Sequence, residues 1–271
     1  MTAFPPVPLT VEGSYVLHQV FAFDWAAWNN TSMEDRKRIG DEAARALQEL
    51  EPQQSALYST LGHKGDLLLV HFRDSIAALN AIELKLAQIG LSRFLKATYS
   101  YLSVVELSLY ESSRKTYAML AENGLEQFSP AWNAGIREVL ERQKEAMAQR
   151  LIPTIPPARH LCFYPMNRKR GEERNWYALP LDERQRLMHD HGMIGRRYAD
   201  RVRQIISASI GFDDWEWSVD LFADDPLVFK HLIYEMRFDE ASSLYAEFGP
   251  FYVGIRMAAD GLDSWLRGDS A

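Results

Sequence analysis

The chain is short of cysteine: Cys162 stands alone among 271 residues. A single thiol rules out an internal disulfide framework and any zinc site built on several cysteines, and it suits a reducing compartment. Long apolar runs are missing as well, and none reaches the roughly 18 residues that a bilayer-spanning helix needs. The opening MTAFPPVPLTVEGSYV has neither the basic start nor the apolar middle of a secretory leader, so a cytoplasmic location with no membrane attachment is expected. Positive charge is in deficit: 30 Lys and Arg face 37 Asp and Glu, a formal net charge of −7. That balance speaks against general nucleic-acid binding. A nucleotide-binding glycine loop, an H-E-x-x-H pair and a G-x-S-x-G elbow are all lacking, which removes the readings those motifs carry.

What is present is ordinary in bulk, with 47% hydrophobic and 25% charged residues, as expected of a globular protein. The order of elements says more. A strand-like stretch at 14–23 precedes a helix at 33–50, short strands at 55–62 and 65–74, a helix at 75–90 and a strand at 96–107. That order is β-α-β-β-α-β, the ferredoxin-like plan. The second half repeats it with a strand at 159–166, a helix at 181–202, strands at 203–211 and 215–224, a helix at 225–249 and a strand at 250–257. Landmarks at 14, 33, 65 and 75 recur at 159, 181, 215 and 225, an offset of 145 to 150 positions. Four landmarks in register predict an α+β fold of two ferredoxin-like repeats. The division is then 1–110, a helical insertion and linker at 111–158, and 159–271. Within the insertion, Ser129 reads as an N-cap with Pro130 in the first helical turn, and IPTIPPA ends the segment.

The segment LMHDHGMIGRRYADRV (187–202) carries the chemistry. At about 100° per residue, His191 shares a stripe with Leu187, Ile194, Tyr198, Val202 and Ile205. His189 lies about 200° away among Glu183, Arg186 and Arg197. His191 is therefore expected to face core or pocket, and His189 solvent. Gly192 and Gly195 each cost about 1 kcal/mol in a helix relative to alanine, but they leave a flat groove that a planar group can approach. One histidine over such a groove suits a haem iron, whereas zinc needs three or four protein ligands. The strand RHLCFYPM places Cys162, Tyr164 and Met166 on one face. Trp176, Trp215 and Trp217 read equally as core or as walls of a macrocycle pocket. The eight basic residues of NRKRGEER (167–174) and GRRYADRVR (195–203) form either a solvated surface or a site for a ligand with several carboxylates or phosphates. The residues themselves leave two readings open: a core histidine, or a planar polyanion held by His191.

The motifs CFYPMNRKR, NWYALP, HGMIGR and GFDDWEWSVDLFADDPLVFKHLIYEMRFDE resemble the hydrogen-peroxide-dependent coproheme decarboxylases of the chlorite dismutase-like family. The likeness spans about 159–257; the first repeat matches in plan only, and 111–149 matches poorly. It implies the two repeats joined as a dimeric α+β barrel within one chain, a homopentamer, and one haem-type site in the C-terminal domain. His191 would be the axial iron ligand and Tyr164 the redox-active tyrosine. Met166 and Trp176 would line the macrocycle, Gln204 would be the distal glutamine, and Arg237 would lie near the distal entrance. Arg150, Ser242 and Tyr110 would meet propionates, and Arg168 stands where many relatives have lysine, with Lys169 next to it. The implied reaction converts propionates 2 and 4 of iron coproporphyrin III (coproheme) to vinyl groups with hydrogen peroxide. It passes through a monovinyl tripropionate intermediate to haem b. A transient contact with the coproporphyrin ferrochelatase is implied too. A non-catalytic haem carrier or sensor, and a chlorite dismutase-like or general peroxidase, are the alternatives; Gln204 in place of a distal arginine weighs against chlorite decomposition.

Overall fold

Side-chain caps start the principal helices of the first half and the insertion. Ser32, Ser75 and Ser129 accept hydrogen bonds from the backbone N–H three residues on, satisfying donors that a helix start leaves free. The computed structural model describes Pro5 and residues 7–269. The first residues of the stretch inspected for a leader lie outside that range. The first half runs β1 (Thr10–Phe23), α1 (Trp25–Asn29), α2 (Met33–Leu50), β2 (Ser55–Thr60), β3 (Leu67–Arg73), α3 (Ile76–Gln88) and β4 (Leu95–Ser108). Three helices follow: α4 (Tyr110–Glu122), α5 (Pro130–Ala146) and α6 (Ala148–Leu151). The second half begins with β5 (His160–Arg168), α7 (Leu181–Arg196), β6 (Arg203–Ala208) and β7 (Trp217–Ala223). It continues with α8 (Leu227–Met236), α9 (Glu240–Tyr245), β8 (Ala246–Phe248), β9 (Tyr252–Met257) and α10 (Leu262–Leu266).

Both halves order their strands alike: β4-β1-β3-β2 in the first and β9-β5-β7-β6 in the second, all antiparallel. β4 pairs with β6 and β2 with β9, so the two sheets join at both edges into one closed barrel. Closure removes the unpaired edges that either sheet alone would expose. The period-2 alternation decides which side chains fill it. Val16, Val20, Leu161 and Phe163 point inward with Tyr58, Tyr101 and Phe222. Among them His18 and Asp220 meet at 2.8 Å, fully buried, and tie one repeat to the other. The opposite faces pack outward, the first half against α2 and α10, the second against α8. The C-terminal α10 thus completes the core of the first half.

Two long helices read from the sequence are broken. α7 stops at Arg196 instead of running to 202, and successive turns carry the chain to β6. Glycine at 192 and 195 weakens the last helical turns, while Val202, Ile205 and Ile206 favour the strand. Ile205 consequently lies inside the barrel and leaves the His191 stripe. The segment 225–249 divides because Asp239 caps a second helix, its side chain accepting from the Ser242 N–H at 2.9 Å.

Candidate functional site

Two adjoining cavities of about 430 and 40 Å³ lie on the outer face of the second-half sheet, and they share Met166, Arg168, His191, Ile206 and Val219. The larger is also lined by Tyr110, Arg150 and Trp176, the smaller by Tyr164, Gln204 and Ser242. Nine of the ten residues carried over from the resemblance therefore line this one space. Arg237 is exposed and lines neither cavity; its guanidinium lies 3.7 Å from the ring centroid of Phe248, which in turn packs on Tyr164. The site also reaches beyond the second repeat. Glu106 and Leu107 of β4, Met147 at the start of α6 and Arg150 within it form one wall of the larger cavity.

His191 is half-buried, and its Nδ1 donates to Asp239 Oδ2 at 2.9 Å, leaving Nε2 as the nitrogen free to ligate. The Ser242 hydroxyl donates to the same carboxylate oxygen at 2.9 Å. Burial alone would raise the Asp239 pKa, but the hydrogen bonds from His191 and Ser242 outweigh it and hold the carboxyl below its ordinary value. A charged carboxylate behind an imidazole fixes the ring orientation and raises its basicity as a ligand. Asp239 was not foreseen. An aspartate placed to cap a helix is its only sequence signal, and that signal lay hidden inside a segment read as one helix.

Tyr164 projects from β5 on the face shared with Cys162 and Met166, stacked on Phe251 with centroids 4.6 Å apart. Burial pushes its phenol pKa well up, Cys162 and Asp220 add to this, and Arg237 opposes it. The hydroxyl thus keeps its proton at neutral pH. The Cys162 thiol behind it is pushed up to about 12, chiefly by burial.

Arg168 is the strongest clue to the ligand. The residue is 9% exposed, its guanidinium 4.4 Å from the Trp176 ring centroid, donating to the Ala241 carbonyl at 3.2 Å and touching Met188 Sδ at 3.1 Å. No carboxylate pairs with it among the described residues. Burial lowers its pKa, which expresses the cost of keeping this charge from water. A buried guanidinium of this kind is completed by an anionic group. Lys169, by contrast, is exposed. Of the other clustered basic residues, Arg196 lines the larger cavity, while Arg170 and Arg197 pair with Glu216 and Glu235. Exposed His189 sits on the rim of the cavity and so faces both solvent and site.

The two glycines have different tasks. A Cβ at Gly192 would meet nothing within 4 Å, so its surroundings are open. One at Gly195 would lie 3.3 Å from Gln204 Nε2 and 3.4 Å from Met236 Cε, so that glycine makes room for the glutamine. Among the described residues no group of three or more His, Cys, Asp or Glu is placed to hold a bare metal ion. A free imidazole nitrogen, apolar walls at Met166, Trp176, Ile206 and Val219, and a buried guanidinium fit an iron whose other ligands come from a carboxylate-bearing macrocycle.

This barrel and site define a class: the chain belongs to the chlorite dismutase family, whose sequence profile matches residues 36–257. Among particular relatives, it is 40% identical over 264 residues to a coproheme decarboxylase of Staphylococcus saprophyticus, covering 95% of this chain and 97% of that one. It is 42% identical over 263 residues to a putative heme-binding protein of Natronomonas pharaonis, but spans only 41% of that longer protein. A solved heme-binding protein from Thermus thermophilus superposes with a TM-score of 0.82 at 38% identity, covering 98% of this chain and 99% of that one. A mutant chlorite dismutase from Candidatus Nitrospira defluvii shares the fold, with a TM-score of 0.69 at 16% identity over 94% of this chain and 96% of that one.

Proposed function

We propose that this chain is a hydrogen-peroxide-dependent coproheme decarboxylase, turning propionates 2 and 4 of iron coproporphyrin III into vinyl groups and releasing haem b. The observation that carries the reading is a buried Arg168, its guanidinium in direct contact with no carboxylate among the described residues, beside a carboxylate-backed His191 and a protonated, buried Tyr164 in one cavity. The chemistry needs a cationic anchor for a carboxylate, an axial ligand and a hydrogen-atom acceptor, and the three residues divide those roles.

In this account His191 holds the substrate iron through Nε2, and Asp239 keeps the imidazole in the ligating tautomer. Arg168, Arg150 and Tyr110 orient propionates, while Ser242 supports Asp239 and can reach a carboxylate edge. Met166 and Trp176 bound the ring plane, Gln204 faces peroxide, and Arg237 steadies the wall behind Tyr164. With peroxide, the bound iron supplies the oxidising equivalents. Tyr164 loses an electron and its proton, and the resulting tyrosyl radical takes a hydrogen atom from the propionate β-carbon. Loss of CO₂ and one further electron completes the vinyl group. Each propionate thus consumes one peroxide and one proton and yields CO₂ and two waters. The monovinyl tripropionate species is the intermediate between the two turns. A cytoplasmic homopentamer that receives coproheme from the ferrochelatase completes the proposal, with 159–271 as the haem-binding domain and 1–110 as its partner in the barrel.

Titrating the coproheme-loaded protein with peroxide and following tetrapyrroles by mass spectrometry tests this. Stepwise appearance of tripropionate and then haem b is expected. Tight binding without any CO₂ would make the chain a carrier.

A further inference from the structure

The duplication places a counterpart of the haem-type cavity in the first repeat. Gln19 stands on β1 where Tyr164 stands on β5. Across the ladders, Gln19 pairs with Leu69 as Tyr164 pairs with Val219, and Phe21 pairs with Leu67 as Met166 pairs with Trp217. On the next strand Leu57 faces Leu69 as Ile206 faces Val219. Buried Leu79 and Ile82 of α3 match buried Phe229 and Leu232 of α8, which puts Glu83 and Leu86 where Ile233 and Met236 stand. Aligning the starts of α2 and α7 puts Ala43 at the position of His191 and Leu47 at that of Gly195.

At this position the first repeat has a cavity of about 280 Å³ lined by Gln19, Leu57, Leu69, Glu83 and Leu86, among others. The position of the iron ligand is taken by an alanine, and Leu47 intrudes where Gly195 leaves room. Among the described residues no lysine or arginine lines the space, and Glu83 is its one charged side chain. A polyanionic tetrapyrrole is therefore refused on both charge and size. Gln19 is 6% exposed, and its Nε2 donates to Glu83 Oε1 at 3.2 Å, which fixes the direction of the amide. Its Oε1 is buried and accepts no hydrogen bond among the described residues. Leaving such an acceptor unpaired is costly, and a donor within the cavity would satisfy it. The volume lies near the lower end of the range for small-molecule pockets.

We propose that this cavity is a second ligand site, taking a small uncharged molecule with an apolar body and one N–H or O–H donor directed at Gln19 Oε1. It descends from the same fold element as the haem-type site but has exchanged ligation and positive charge for a largely apolar slot that holds a buried, unpaired amide acceptor. The proposal does not depend on the decarboxylase reading.

The fluorescent arylamine 1-aminoanthracene is a suitable probe, being apolar, neutral at pH 7 and equipped with one amine donor. Fluorescence titration of the full chain should give saturable binding of one probe per chain. Leu86→Trp, which plugs the cavity from α3, should abolish it, whereas Met236→Trp, the equivalent change in the second repeat, should leave it intact. Gln19→Leu should weaken it about three- to tenfold, the effect of one neutral hydrogen bond. A crystal of the complex should place the amine within hydrogen-bond distance of Gln19 Oε1, which decides the matter even if Leu86→Trp fails to fold. Absence of saturable binding, loss of binding in Met236→Trp with retention in Leu86→Trp, or a bound probe elsewhere in the crystal would overturn the proposal.

Discussion

Replacing Arg168 with methionine should stabilise the ligand-free protein or leave it unchanged while crippling ligand binding. In the folded chain the guanidinium has one carbonyl acceptor, a sulfur contact and the face of Trp176, but no carboxylate in direct contact among the described residues. The favourable terms are about 1 kcal/mol for the hydrogen bond and about 0.5–2 for the ring contact. Against them stands the loss of hydration of a charge in a residue that is 9% exposed. Methionine fills much of the same volume without that loss, so the net change should lie within about 1 kcal/mol of zero. For a chain of this size that corresponds to about 2–4 °C in Tm. A charge-assisted hydrogen bond to a propionate contributes roughly 1.5–3 kcal/mol, so coproheme should bind about 10- to 150-fold more weakly. Calorimetry on the free protein and titration with coproheme measure the two effects separately. A fall in stability of more than about 3 kcal/mol with unchanged affinity would refute the reasoning and make Arg168 a structural residue.

Three further outcomes follow from the same geometry. Gly192→Ala meets no neighbour and should raise the stability of the ligand-free chain by about 0.5–1 kcal/mol, yet weaken coproheme binding if the open surface at 192 serves the macrocycle; thermal melts and titrations report both. Asp239→Asn should lower affinity for iron porphyrin about 10- to 100-fold and shift the absorption spectrum, because the imidazole loses its charged acceptor. With its folded pKa depressed, Asp239 contributes stability above the ordinary carboxylate range near pH 4 and loses that contribution as pH falls through the lower folded value; melting curves of parent and Asp239→Asn should converge in that acidic window.

The fold was legible because it is periodic and doubled. Alternation in β1 and β5 and the constant spacing of the halves specified strands, faces and repeat. The placing of Tyr164 with Met166, and of His191 over a groove, followed from the same periods. Periodicity could not show that the two sheets would close on each other, since closure depends on pairings of β4 with β6 and β2 with β9 across more than a hundred residues. For the same reason Glu106, brought to the cavity wall by β4, had no local signal. Asp239 was missed because a cap within an otherwise helical pattern breaks the helix without interrupting its hydrophobic stripe. The basic cluster misled in part: density along the chain did not distinguish buried Arg168 from exposed neighbours such as Lys169, or from Arg170 and Arg197, which are paired with carboxylates.

The Tyr164 hydroxyl separates the proposed enzyme from a carrier, and a comparison of parent and Tyr164→Phe decides between them. Parent and Tyr164→Phe are loaded with coproheme, given stoichiometric peroxide, and followed for CO₂ and for tri- and dipropionate products. Phenylalanine retains the stacking on Phe251 and loses only the hydroxyl, so binding should weaken by no more than about tenfold, the contribution of one hydrogen bond. Haem b is expected from the parent and no tripropionate intermediate from the variant. Conversion by Tyr164→Phe at the parent rate, or tight binding by the parent with no CO₂ released, would contradict it.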